Sequence, residues 1–178
     1  RGRGADAQLR GSLQPRALLA FSRDYPNINI SVQDVVAENV VTMVREGCAE
    51  LGVSFAPPRG ELIFQPLFLD RIVAMLPRDH ALAHRRTLRW SGLQGRAFIA
   101  LAHPSGIREQ VEQFVREQQL DMPVRLESHQ LATIGRMVAA GLGLSVVPAM
   151  CTGPMQEMGN ACRKLGGPSI AREVGILT

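Results

Sequence analysis

The chain has 178 residues, 46% hydrophobic and 20% charged, with a formal net charge of +4. This is ordinary globular composition for one or two compact units, long enough to bury a sizeable core without disulfide staples. Arginine supplies nearly all of the basic excess, most densely at Arg85, Arg86 and Arg89, but aromatics are only 4%, so a solvated basic surface ranks above a nucleic-acid surface with stacking platforms.

From Ser12 onward the pattern alternates between periods of 3.6 and 2. Ser12 stands as an N-cap, with Pro15 in the first turn and Ala17, Leu18 and Phe21 as an apolar stripe, and the helix stops at Tyr25-Pro26. Residues 27–33 then alternate, with Ile28, Ile30 and Val32 on one face of a half-buried strand. Val40, Met43, Val44 and Gly47 follow at helical spacing, and Leu51–Phe55 is a short strand. Strand, helix and strand joined by short links predict a parallel sheet covered by helices. After the Pro57–Gly60 turn come two extended segments, Leu62–Leu69 and Arg71–Leu76, separated by Asp70. Beyond a polar stretch, Ala97–Leu101 is a strand, and Ser105 opens a helix carrying Ile107, Val111, Phe114 and Val115. Val124–Glu127 is a strand, and Ser128 or His129 opens a helix carrying Leu131, Ile134, Val138 and Leu142. Gly141 and Gly143 end that helix before the strand Leu144–Val147, which Pro148 stops. The tail holds a weak helix, Met150–Met158, and two short strands, Ala161–Leu165 and Arg172–Leu177.

A tail with strands but no sheet of its own must add to an existing one. The economical arrangement returns it to the first half. Two lobes then result, residues 1–70 with 149–178 and residues 71–148, joined by crossovers near Leu69–Arg71 and Val147–Ala149. Such a unit is built to close around a ligand by hinge motion. The ligand of an open α/β sheet sits beyond the carboxyl ends of the strands, where helix N-termini favour anions. Ser12, Ser105 and Ser128 each begin a helix there, although serine is also simply a good cap.

Cys48, Cys151 and Cys162 include no C-x-x-C pair, so buried thiols in a reducing, cytoplasmic compartment are expected rather than disulfides or zinc. His80 and His84 lack an acidic partner, and neither a metal nor a cofactor is expected. No apolar run approaches the ~18 residues of a membrane span, and the first residues do not read as a secretion signal. No G-x-S-x-G or G-x-x-x-x-G-K-[ST] occurs, so catalysis is not expected. Glu109 and Glu112, beside Gln113 and Arg116, read as a solvated helix face.

Several strings resemble one family. Ser12-Leu13-Gln14-Pro15 with Phe21 and Tyr25-Pro26 resembles the opening of the effector-binding domain of LysR-type transcriptional regulators. Gly47–Val53, Asp79–Ala83 and Leu93–Ile99 resemble its later junctions, and Val138-Ala139-Ala140-Gly141-Leu142-Gly143-Leu144-Ser145-Val146-Val147-Pro148 is similar to its V-A-A-G-L-G-I-x-x-L-P segment. Departures stand at Ala49, Glu50 and Ala81, and at Arg1–Ala5, a poor strand former where the family has an apolar first strand.

The resemblance implies a two-lobed periplasmic-binding-protein-like fold, with two Rossmann-like β/α subdomains joined by two crossovers. It implies a small effector, a carboxylate or similar anion, bound between the lobes. It also implies homo-oligomers, and DNA contacted only through an N-terminal winged helix-turn-helix that this sequence does not contain. The expected ligand-binding residues are Leu9, Arg10, Ser12, Ala37 and Phe68 in the first lobe, and His103, Ser105, Gly106 and His129 in the second. Ala37 stands where the family often has a polar contact. The alternative is a solute-binding protein of a transport system, which would need an export signal.

Overall fold

The computed structural model describes residues 2–6, 14–35, 37–57, 60 and 62–178. The chain forms two compact units, Arg1–Asp70 with Arg172–Thr178, and Arg71–Ala171.

In the first unit Gly2–Asp6 is strand β1, paired parallel with β2 (Ser31–Val35) on one side and β3 (Gly52–Phe55) on the other. The glycine- and arginine-rich N-terminus is therefore a strand despite its poor propensity, because two neighbours supply its backbone partners. Helix α1 (Gln14–Asp24) and helix α2 (Ala37–Arg45) connect these strands. Val40 and Val44 of α2 are buried against Ala49 and Leu177, the amphipathic packing their i, i+4 spacing predicts. Strand β2 begins later than expected, at Ser31, and lies at the sheet edge, so Ile28 and Val32 remain exposed. The two extended segments around Asp70 are one strand, β4 (Phe64–Pro77), with Asp70 buried in its middle. Its first half closes this sheet beside the final strand β10 (Ala171–Leu177), which also runs antiparallel to β3.

The second half of β4 belongs to the second unit. There β5 (Thr87–Arg89) and β6 (Phe98–Leu101) precede helix α3 (Gly106–Glu117), strand β7 (Val124–Ser128), helix α4 (Leu131–Ala139) and strand β8 (Ser145–Pro148). A short helix α5 (Thr152–Glu157) leads to β9 (Asn160–Gly166). Strands β6 and β7 are parallel, and Ile99 and Leu144 join β6 to the segment entering β8. Ile134 and Val138 of α4 are fully buried, each worth about 1.5–3 kcal/mol relative to exposure.

One expectation is corrected here. Residues 149–178 do not return to the first unit as a block. Strand β9 pairs antiparallel with β4 from Val73–Lys164 to Pro77–Asn160, filling an edge that would otherwise expose backbone groups. Asn160 fastens this end by donating to the carbonyls of Gly135 at 2.9 Å and Met155 at 3.0 Å. Only β10 rejoins the first unit, so the second passage falls at Ala171–Arg172 rather than near Val147–Ala149.

Candidate functional site

Because β6 and β7 are parallel, their carboxyl ends emerge side by side, with Leu101 opposite Ser128 and the Ala102 N–H donating to the Ser128 carbonyl at 3.0 Å. Residues 102–106 and 128–130 therefore share one end of the sheet. Ser105 has extended backbone, and its Oγ accepts from the Arg108 N–H at 3.4 Å, capping α3, of which Gly106 is the first residue. This brings a hydroxyl and the start of a helix together where a strand ends, the combination that suits an anion. His103 is exposed, and its Nε2 lies 3.3 Å from Glu112 Oε2.

Arg108 organises the loop from the first turn of α3. Its Nε donates to Glu112 Oε1 at 2.5 Å, and its Nη1 donates to the Leu101 carbonyl at 2.9 Å and to Glu127 Oε2 at 3.4 Å. Only 10% of its side chain is exposed. The Arg108 hydrogen bond is the main reason that Glu112 is held below the usual carboxylate range. Glu112 is thus a loop-fastening residue rather than the purely solvated carboxylate expected. Arg108 and Glu127 are not marked by the sequence and Glu112 reads there only as solvated surface, although Arg108 and Glu112 stand at the i, i+4 spacing of a helix pair. A shallow groove of about 290 Å³ lies on the flank of α3, walled by Phe98, Val111, Val115, Met122 and Val124 beside Arg108, Glu112 and Arg116.

The other expected residues are distributed as follows. Leu9, Arg10 and Ser12 lie outside the described residues. Ala37 is the first residue of α2 and Phe68 lies in the first half of β4, both half-buried in the first unit. His129 is exposed in the second unit, near the end of β7. Neither it nor Ser128 caps α4. Gln130 is the N-cap, and Ser128 Oγ instead accepts from the Gln130 N–H at 3.2 Å, closing a local turn before the helix starts.

Elsewhere, His80 Nδ1 accepts from the Leu82 N–H at 3.1 Å and caps the 3-10 turn Ala81–His84, while burial and then Arg96 push the pKa of its ring down. Among the described residues no group of three or more His, Cys, Asp and Glu is placed to hold a metal. Cys151 and Cys162 are buried, and burial pushes the Cys162 thiol up to about 11, which keeps it in the unreactive form. Cys48 departs from the expected burial. It sits in the turn after α2, beside Gly47 with its positive φ of 71°, and is exposed. No helix among the described residues is long and apolar enough to cross a membrane.

The family described as the LysR substrate binding domain matches residues 4–178. The chain belongs to this family. As a LysR-type effector-binding domain it has the two-lobed periplasmic-binding-protein-like fold. The HTH-type transcriptional regulator YfeR of Shigella flexneri is 26% identical over 174 residues, 97% of this chain and 56% of that protein. The chain thus spans about half the length of the curated relatives it matches. The regulatory domain of Synechocystis CcmR, solved in complex with 2-PG, is 25% identical with a TM-score of 0.86, covering 100% of this chain and 88% of that one. The effector-binding domain of QuiR, solved with shikimate, has a TM-score of 0.84 at 13% identity, over 99% and 85% of the two chains, and supports the fold alone. These relatives are regulators, and a transport protein is not favoured.

Proposed function

We propose that this LysR-type domain is the sensing part of a cytoplasmic transcriptional regulator, without catalytic turnover, that binds a small anion with an apolar body. The observation that carries the reading is the Ser105 loop at the shared carboxyl end of β6 and β7, where a hydroxyl and a helix start converge. We assign effector binding to His103, Ser105, Gly106 and His129, and, on the family resemblance, to Leu9, Arg10, Ser12, Ala37 and Phe68. The regulatory domain of CcmR was solved with 2-PG, which supports a small-molecule effector here. Ser105 Oγ serves as a helix cap and His103 faces Glu112, so the loop presents no serine–histidine hydrogen bond for nucleophilic chemistry. Occupancy passes to a DNA-binding segment outside this chain as a coupling free energy, commonly about 1–3 kcal/mol. The chain itself has no sequence-specific affinity for DNA in this reading.

Two copies associate through α1 and the edges of the sheets. Leu19 of α1 is 55% exposed, and Val32 of β2 and Val124 and Leu126 of β7 lie on edge strands with their side chains in solvent.

A thermal-shift screen of small carboxylates identifies a ligand, because binding to the native state alone raises the midpoint. Calorimetry on that ligand then tests the site. A hydrogen bond to a charged group is worth about 1.5–3 kcal/mol, so Ser105→Ala weakens binding by about tenfold or more. Ser105→Asp retains the cap and places a negative charge against the guest, so it binds still more weakly. Unchanged affinity in Ser105→Ala and Ser12→Ala places the pocket elsewhere.

A further inference from the structure

The net positive charge of this chain is concentrated in two segments of the second unit. Residues 78–96 hold five arginines (Arg78, Arg85, Arg86, Arg89 and Arg96) and one acid, Asp79, so this segment alone equals the +4 excess of the whole chain. Tertiary structure then adds β9, which lies parallel to β5 with Thr87 opposite Lys164 and Arg89 opposite Gly166. Arg163 and Lys164 bring the two segments to +6, leaving −2 for the remainder. Leu88 is buried, so strand alternation turns Thr87 and Arg89 to the other face, in register with exposed Lys164. Arg85 and Arg86 precede β5 through a bend at Arg86 and are both exposed, so they add two cations beside this end of the strand without continuing its alternation.

The side chains of Arg85, Arg86, Arg89 and Lys164 enter no ion pair among the described residues. Arg163 spends its donors on carbonyls, with Nε donating to Ala83 at 2.8 Å, Nη1 to Cys162 at 2.8 Å and Nη2 also to Ala83. Its charge is therefore not cancelled, and it ties the Ala81–His84 turn, which leads into Arg85, to β9. Guarding a three-residue edge strand against unwanted pairing takes one or two charges. Five cations without a carboxylate exceed that need.

We propose that this edge, formed by Arg85, Arg86, Thr87, Arg89 and Lys164, is a docking surface for the sugar–phosphate backbone of duplex DNA, independent of sequence. The four residue steps from Arg85 to Arg89 span at most ~13 Å. One strand of a duplex carries a phosphate charge every ~3.4 Å of axis, so the cluster reaches at most about four phosphates. Thr87 between them supplies the hydroxyl type that phosphate contacts use. Trp90, the aromatic next to Arg89, is buried and offers no stacking platform for single strands. A domain of a regulator already tethered to DNA meets it at high effective concentration, so a weak contact suffices. The inference rests on the proposed regulator reading for this tether but not on the effector site.

The test is fluorescence anisotropy of the 178-residue chain with a labelled duplex of arbitrary sequence. Neutralising about three phosphates predicts a log–log salt slope near −2.7, an approximately forty-fold loss of affinity between 50 and 200 mM salt. The variant R85Q/R86Q/R89Q loses about tenfold or more at the lower salt, with an unchanged far-ultraviolet circular dichroism spectrum. The variant R45Q/R71Q/R136Q, which removes the same charge elsewhere on the surface, retains the wild-type affinity. Equal losses in the two triple variants, or no measurable binding by the wild type at 50 mM salt, overturn the proposal. So does tighter binding to a poly-glutamate peptide of matched charge, which assigns the edge to an acidic protein.

Discussion

Gly141 and Gly143, two residues apart in the same string, are required for different reasons. Gly141 closes α4 with φ +82° and open space around its α-carbon, so its constraint is conformational. Gly143 is steric, because an added Cβ would stand 2.6 Å from the Ala97 carbonyl oxygen, which also accepts from the Leu144 N–H at 2.9 Å. A residue that tolerates the left-handed region should therefore rescue one position and not the other. In denaturant unfolding, Gly141→Ala is expected to cost about 1 kcal/mol and Gly141→Asn less. Gly143→Ala and Gly143→Asn both cost about 1–3 kcal/mol, since backbone has to move. Equal tolerance of asparagine at the two positions would contradict this division. The sequence marks both residues as the end of a helix, and only the neighbouring Ala97 carbonyl separates their roles.

Helix α3 shows how one element joins packing to the candidate site. Its apolar residues Ile107 and Val111 are buried, while Arg108 and Glu112 bind the loop that precedes it. Since Glu112 has its carboxyl held below the usual range, its contribution to stability is complete above the unfolded-state pKa of ~4.3. That contribution is lost as pH falls through the lower, folded value. The side chain is 36% exposed, so solvent screening limits the effect to at most about 1 kcal/mol. The difference in thermal midpoint between wild type and Glu112→Gln is accordingly expected to be positive near pH 6 and to shrink below the carboxylate range. A difference that does not vary with pH would show that the ion pair with Arg108 is not its source. The groups involved were legible as an i, i+4 pair. The connection to His103 was not, because it depends on how the loop after β6 turns back.

At the scale of the whole molecule, each unit leaves apolar side chains in solvent on its outer elements. Leu19 on α1 and Val32 on β2 belong to the first unit, and Val124 and Leu126 on β7 to the second. Single exposed leucines are common, so association has to be measured. Sedimentation at about tens of micromolar is expected to show a dimer. Leu19→Glu is expected to shift the population toward monomer with an unchanged far-ultraviolet circular dichroism spectrum, and to remove any dependence of the unfolding midpoint on protein concentration. A strictly monomeric wild type at that concentration would remove this role for α1.

The periodicities alone located nearly all of the helices and strands, because burial of one face writes a local pattern of 3.6 or 2 into the chain. Ser105 as the start of α3, the strand–helix alternation and the Gly141–Pro148 string were readable for this reason. Whether two segments pair depends on partners distant in sequence, and local pattern does not encode that choice. Thus Gly2–Asp6 became a strand between β2 and β3 against its own propensity. Asn160–Gly166 joined β4 and β5 in the second unit, leaving only β10 to return to the first. The same pairing set Lys164 beside Thr87, adding its charge to the cluster that the sequence already shows at Arg85, Arg86 and Arg89.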